Sequence, residues 1–268
     1  MWGVFLRKPV VGLALGAGAA RGMAHIGVLQ VLESEKIPID LIAGTSIGSV
    51  FGALYADNVD LEMLARFVTA IKYENYIDLV VPKMGLIKGE KIEQLFKLLT
   101  KNKQFSELAK PLYVIAVDIE TGKEVIINSG MIADALRASV SIPGIMQPKK
   151  LDNKLLVDGA LRNHVPITVL KDNGADYVIA VDVRFGGFNE IKHKVDSIFD
   201  IILLSIDIGY VDYMEKMVKN ADVLIQPNLS HVLPARFDLA KECIEIGREK
   251  AIEILPKITE DLKKIGVL

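Results

Sequence analysis

The sequence predicts an α/β fold, a three-layer α/β/α arrangement around a central, mostly parallel sheet. Two features point there. Short runs rich in Val, Ile and Leu alternate with longer segments of helical period along most of the chain. Two early strands also end on glycine-bearing turns that open helices, at Gly16-Ala17-Gly18 and at Gly44-Thr45-Ser46-Ile47-Gly48. With 268 residues, 51% of them hydrophobic and 25% charged, the chain can bury one sizeable core. A single domain over residues 1–268 is therefore expected, with six or more strands in its sheet.

In chain order, Val10–Leu15 is too short and apolar for a helix and reads as a buried strand, followed by a helix over Ala20–Lys36. Leu41–Gly44 repeats the pattern and leads into a helix over Ser46–Ala56. Residues Lys72–Glu90, with Tyr73, Tyr76 and Val80-Val81-Pro82, hold no clean period: they are either a flap over a site or an ordinary connection into a helix over Lys91–Thr100. Leu112–Ile119 is the next strand, Glu124–Asn128 its antiparallel neighbour and Ile132–Ser139 a helix. Strands follow at Leu155–Val157, Tyr177–Val183 and Val223–Gln226, with helices over Asp196–Lys219 and Phe237–Lys264. Pro143, Pro148, Pro166, Pro227 and Pro234 fall in the connections, where a missing N–H does least harm.

Composition excludes several classes. A net charge of -2 and a pI near 6.1, with no long basic run, leave no positive field for nucleic acid. The single cysteine, Cys243, cannot form an internal disulfide, which suits a reducing cytoplasm. Arg7 and Lys8 followed by an apolar run imitate a secretory signal, but cleavage there would destroy the first glycine loop, so the segment reads as mature protein. The longest apolar stretch, Ile198 to Ile208, is broken by Asp200 and Asp207 and does not reach a membrane span. A mean hydropathy of +0.33 fits either a buried parallel sheet or apolar surface in peripheral contact with a membrane.

Three motifs carry chemistry. Gly44-Thr45-Ser46-Ile47-Gly48 sits at a strand-to-helix junction, where flanking glycines permit the sharp turn that lifts a serine Oγ clear of the backbone. The alternative is a loop with a serine helix cap. Gly16-Ala17-Gly18-Ala19-Ala20-Arg21-Gly22 follows a strand, and its small residues let backbone N–H groups turn toward an anion. A dinucleotide loop begins the same way, yet Arg21 occupies the place of the third glycine and Asp40, the nearest acid, precedes the next strand instead of ending it. Leu155-Leu156-Val157-Asp158-Gly159-Ala160 delivers an aspartate onto a glycine turn, or is a plain turn closed by Asp158.

A nucleophilic serine needs a base, ordinarily a histidine held by a carboxylate. His25 lies inside the first helix, His164 and His231 lie in Pro-bounded loops, and His193 lies in a charged, solvated stretch. None has an obvious orienting carboxylate, so a triad stays open without being favoured, and Asp158 acting directly on Ser46 is the alternative. A carboxylate matches a serine hydroxyl poorly, so burial and a strong oxyanion hole would have to compensate. The strand-end acids Asp118 and Asp182 read as hydrogen-bonding groups at the sheet's carboxyl edge.

Taken together and in this order, the motifs resemble the patatin-like phospholipase family, especially bacterial members with a Gly-x-Gly-x-x-Arg-Gly loop. The likeness spans Val10 to about Pro166 and is reinforced by Ala24-His25-Ile26-Gly27-Val28-Leu29 and by Arg137-Ala138-Ser139-Val140-Ser141-Ile142-Pro143-Gly144. It implies hydrolysis of lipid or other carboxylic esters by a Ser–Asp dyad through an acyl-enzyme, with no metal or cofactor. Ser46 is then the nucleophile, Gly44 and Gly48 shape its elbow, and Asp158, with Gly159 and Ala160, supplies the base. Gly16, Ala17, Gly18, Ala19, Arg21 and Gly22 form the oxyanion loop, with donors around Ala17, Gly18 and Ala19, and His25 is structural. Ala17 and Ala160 stand where plant-type members carry glycine, which bears on substrate preference. In the 196–219 helix, Ile198, Phe199, Ile202, Leu203, Ile206 and Tyr210 form an apolar face that packs on the sheet, covers an acyl groove or binds lipid. Oligomeric state, acyl length and head group are left open.

Overall fold

A computed structural model describes residues 7–81, 83–184, 195 and 197–268, without the side chains of 210–217. Strand β1 (Val11–Leu15) is buried at every position, so its run of apolar residues shows no alternation. The chain then turns through a 3-10 segment (Ala19–Met23) before α1 (Ala24–Ser34) begins. The single helix expected from Ala20 is thus split, because the turn wraps around the buried Arg21, whose guanidinium is held by residues far along the chain. β2 (Leu41–Thr45) and α2 (Ile47–Ala56) follow as expected. Next comes α3 (Leu61–Ala70), capped by the Asp60 carboxylate on Met63 N–H at 2.8 Å and burying Leu61, Leu64 and Val68.

Residues Lys72 to Glu90 form a pinned connection. Asp78 accepts from the N–H groups of Gly89 and Glu90 at 2.8 Å, capping α4 (Glu90–Leu99). Leu86 and Ile87 both donate to Ile145 O at 2.9 Å. The buried Arg137 guanidinium donates to Lys88 O, Gly89 O and Gln147 O at 2.6–2.9 Å. Pro82 lies outside the described residues.

β3 (Leu112–Asp118) and β4 (Lys123–Ile127) pair antiparallel, and α5 (Ile132–Ser139) follows. The hairpin of β5 (Lys149–Leu151) and β6 (Lys154–Asp158), the short α6 (Ile167–Asp172) and β7 (Tyr177–Val181) come next. The chain closes with α7 (Ile198–Val218), β8 (Val223–Ile225) and α8 (Ala240–Lys264). Asp196, the expected start of α7, and His193 lie outside the described residues.

The sheet order is β5-β6-β3-β2-β1-β7-β8, with β4 also pairing β3. β3, β2, β1, β7 and β8 run parallel. Alternate residues serve two faces. Leu13, Leu15, Ile42, Ile179 and Val181 pack under α1, α2 and α8 in the larger core. Ala14, Ala43, Val178 and Ala180 face the other way, against Ile167, Val169 and Leu170 of α6. Helices thus flank both faces, unequally.

One edge of β3 positions the site. β4 occupies the far edge along Val114–Asp118. On the near edge, β2 pairs with the first half and ends at Thr45 opposite Ile115. The second half is taken by β6, arriving antiparallel, with Asp158 opposite Ala116. Two strands therefore meet head to head on one edge, and Ser46 and Asp158 are the residues at the junction.

Candidate active site

Ser46 follows the last residue of β2 and has φ 53° and ψ −126°, a left-handed conformation that costs a serine ~1–3 kcal/mol and makes the turn from strand to helix a sharp one. The glycines beside it are demanded by close approach: a Cβ on Gly44 would meet Ser49 Cα at 2.5 Å, and one on Gly48 would collide with Leu15 O. Ser46 N–H donates to Ser139 Oγ at 2.8 Å, and that hydroxyl donates to Ile115 O at 2.6 Å. Ser49 Oγ donates to Ser46 O at 2.6 Å. The strained residue is held from both of its peptide groups.

Ser46 Oγ donates to Asp158 Oδ2 at 2.6 Å, and Asp158 Oδ1 accepts from Ala160 N–H at 2.9 Å. The Asp158 N–H donates to Ser141 O at 2.9 Å, so the end of α5 and the residues just after it grip both, Ser139 at Ser46 and Ser141 at Asp158. Asp158 is 3% exposed. Burial pushes its carboxyl up from 3.8 to about 6, against the opposing pull of the Ser46 and Ala160 hydrogen bonds and the nearby Arg184 charge.

The glycine loop lines the same pocket with Ala17, Gly18 and Ala19. Its amides are not equivalent. Gly16 N–H is committed to Val181 O, Ala17 N–H to His164 O and Ala20 N–H to Pro234 O, all within 3.0 Å. Ala17 is therefore removed from the expected donors, and Gly18 and Ala19 are the loop amides without a backbone acceptor among the described residues. Ala19 has φ 49°, so strain is stored on this side of the pocket as well. Gly22 lies against Ile47, where a Cβ would collide, which locks the loop to the elbow helix.

The described histidines sit elsewhere. His25 is fully buried and its Nε2 lies 2.8 Å from Gly16 O, bracing the loop. Burial pushes it down to about 4, so the ring is neutral and donates from Nε2. His164 is buried and held well below its usual range by desolvation. His231 is an exposed partner of Glu242 at 2.7 Å. None of the three lines the pocket. Asp118 closes its own turn, accepting from Thr121 Oγ at 2.8 Å, and Asp182 accepts from Arg184 N–H and Gln226 Nε2 at 3.0 and 3.1 Å, as expected of strand-end acids. Among the described residues, no group of three or more His, Cys, Asp or Glu is placed to hold a metal ion, and no helix is long and apolar enough to cross a membrane.

Two charged pocket residues escaped the sequence reading, Arg184 and, as more than an interruption, Asp207, as did the apolar Leu161. Asp207 is a buried charge on α7 and pairs with both Arg21 at 3.1 Å and Arg184 at 2.8 Å. The signals were faint: an arginine just beyond the carboxyl end of a central strand, and an acid inside an apolar helix. The apolar face of α7 is divided, and Ile198 at its start is exposed. Phe199, Ile202 and Leu203 pack on the core, while Leu203 and Ile206 line the pocket; the Tyr210 side chain lies outside the described residues.

The chain is similar to known proteins in sequence and in fold. A family model described as Patatin-like phospholipase covers residues 13–171. An uncharacterized NTE family protein of Mycobacterium tuberculosis is 34% identical over 180 residues, 66% of this chain and 50% of that protein. Patatin-like phospholipase domain-containing protein 6 of Homo sapiens is 34% identical over 197 residues, 70% of this chain and 14% of that protein. The chain thus spans about half the length of the mycobacterial relative and far less of the human one. Among solved structures, VipD from Legionella pneumophila superposes with a TM-score of 0.56 at 12% identity, covering 94% of this chain and 67% of that one. The type III effector ExoU gives 0.53 at 12%, covering 94% and 53%. At such identities these two speak for the fold. With more than half of its length matched by the family model, the chain belongs to the patatin-like phospholipase family.

Proposed function

We propose that the protein is a serine acyl hydrolase that cleaves carboxylic esters of lipids through a Ser46–Asp158 dyad. The observation that supports this most is the 2.6 Å hydrogen bond from Ser46 Oγ to Asp158 Oδ2, made on a strained elbow in a pocket shared with the amides of Gly18 and Ala19. An ester carbonyl beside Ser46 is attacked by Oγ as Asp158 takes the proton. The oxyanion receives the N–H groups of Gly18 and Ala19, each such donor being worth roughly 100- to 1000-fold in rate. Collapse expels the alcohol with the proton from Asp158, and water, deprotonated by the same carboxylate, releases the fatty acid.

Gly16, Ala17, Arg21 and Gly22 serve as supports of that loop, as their committed contacts suggest. A base near pH 6 is ionised at neutral pH while remaining more basic than a free aspartate. Ile142, Leu161, Leu203 and Ile206 give the pocket an apolar wall suited to an acyl chain. The chemistry uses no cofactor. Residues 1–268 act as one catalytic unit in a reducing compartment, meeting lipid from solution or at a membrane surface. Hydrolysis of a palmitoyl ester by the purified chain, abolished by Ser46→Ala, is the test; wild-type turnover in Ser46→Ala would overturn the reading.

A further inference from the structure

Arg184 stands three residues beyond β7, on the carboxyl edge of the sheet where β1 and β2 deliver the glycine loop and Ser46. It lines the pocket together with Ser46 and Asp158, and its side chain is 11% exposed. Two buried carboxyls lie within reach of its charge, Asp158 and Asp182, and a third pairs with its guanidinium. Asp207 is a single carboxylate shared between two guanidiniums, with Oδ1 2.8 Å from Arg184 Nη1 and Oδ2 3.1 Å from Arg21 Nη1. No other ion pair of either arginine occurs among the described residues. Among the described residues, Arg21 Nη2 is buried without an acceptor, and Arg184 Nη1, though close to Asp207, lacks hydrogen-bond geometry. Buried cations are costly unless paired, and a guanidinium offers five N–H donors in a planar fork suited to a tetrahedral oxyanion. The pocket therefore combines an apolar wall of Ile142, Leu161, Leu203 and Ile206 with a cationic edge at Arg184.

We propose that Arg184 is a specificity residue that receives the phosphate of a glycerophospholipid or lysophospholipid, so that the site favours phosphate-bearing esters over neutral ones. This rests on the acyl-hydrolase reading. The acyl chain lies along the apolar wall, and the phosphate, on the alcohol side of the scissile ester, takes donors of Arg184 that Asp207 does not engage. The charge is also placed to matter chemically, since the Arg184 field reaches the Asp158 carboxyl.

The test compares 1-palmitoyl-lysophosphatidylcholine with 1-palmitoylglycerol, which share the acyl ester and differ in the phosphate head group, in mixed micelles with a non-ionic detergent. The readout is the ratio of the two kcat/KM values. Arg184→Gln should lower that ratio by about 10- to 100-fold, mainly through KM on the phosphate substrate, as loss of a hydrogen bond to a charged group predicts. Arg184→Lys, which keeps the charge and loses the fork, should lower it less, and carries the test if Arg184→Gln fails to fold. Glycerophosphocholine should inhibit hydrolysis of 1-palmitoylglycerol by the wild type and do so more weakly with Arg184→Gln. An unchanged ratio, or equal losses on both substrates, would overturn the proposal while leaving the hydrolase reading intact. If inhibition by palmitate were the sole property to respond to Arg184→Gln, the arginine would be a product-carboxylate site and the proposal would fail. Absence of hydrolysis of both esters by the wild type would instead remove the acyl-hydrolase reading beneath it.

Discussion

Replacing Asp158 by asparagine should silence the protein and at the same time stabilise it, by an amount that depends on pH. The Asp158 carboxyl is buried and its pKa is raised from 3.8 to about 6. A carboxyl raised on folding contributes stability that is fully present below the unfolded value of 3.8 and lost as pH rises through the folded value near 6. About two pKa units at 1.36 kcal/mol each set the cost of holding it ionised in the folded wild type at ~3 kcal/mol. Asparagine escapes that cost. Its Oδ1 can accept from Ala160 N–H as Asp158 Oδ1 does now, and its Nδ2 can donate to Ser46 Oγ, since a hydroxyl both donates and accepts. Urea unfolding of both proteins between pH 4 and pH 8 checks this. The stability gap should be small at pH 4, open through pH 5 and 6, and reach ~3 kcal/mol at pH 8, with the variant more stable. For a chain of this size that is roughly 6–10 °C in Tm. A gap that does not vary with pH, or a variant less stable than wild type at pH 8, would refute the buried, raised carboxyl.

The same ionisation should appear in turnover: kcat/KM should rise with pH through a single limb near 6, and a limb unaltered in a residually active Asp158→Glu protein would assign it to another group. Gly18→Val places a Cβ against Val183 and displaces one proposed oxyanion donor, so turnover should fall about 100- to 1000-fold with the circular dichroism preserved; wild-type turnover would remove the loop from the mechanism. Ser139→Ala leaves Ser46 N–H and Ile115 O buried without their shared partner. It should destabilise the protein by about 2–3 kcal/mol and lower kcat more than it alters KM, as read by chemical unfolding and steady-state kinetics.

What could be read from the sequence was local. Ser46 and Asp158 each sit where an apolar strand gives way to a glycine turn, and such junctions are written in five or six consecutive residues. The parallel strands were legible for the same reason, since β1, β2 and β7 are buried on both faces and read as unbroken apolar runs. Elements whose form depends on distant partners were not. The 3-10 turn at Ala19–Met23 replaces the start of a helix because Arg21 is anchored to Val232 O and Asp207, about 190 to 210 residues later. β5 is three residues long and carries Lys149-Lys150, with no periodicity to read, and α6 is a six-residue helix behind Pro166. α3 was legible through the Asp60 cap and the spacing of Leu61, Leu64 and Val68, and was overlooked. Arg184 and Asp207 meet only once the fold brings β7 and α7 together over Ser46, and Ser139 and Ser141 acquire their roles from β3 and β6.

Covalent labelling with a fluorophosphonate tests the dyad most directly, because the probe mimics the tetrahedral intermediate and reacts with an activated serine in a formed oxyanion pocket. Peptide mass spectrometry of the labelled wild-type chain should place the phosphonate on Ser46. Ser46→Ala should take up no probe and lose ester hydrolysis, Asp158→Asn should label far more slowly, and His231→Ala should label at the wild-type rate. Labelling of another residue, or a Ser46→Ala protein that still reacts and still hydrolyses ester, would contradict the assignment of Ser46 as the nucleophile.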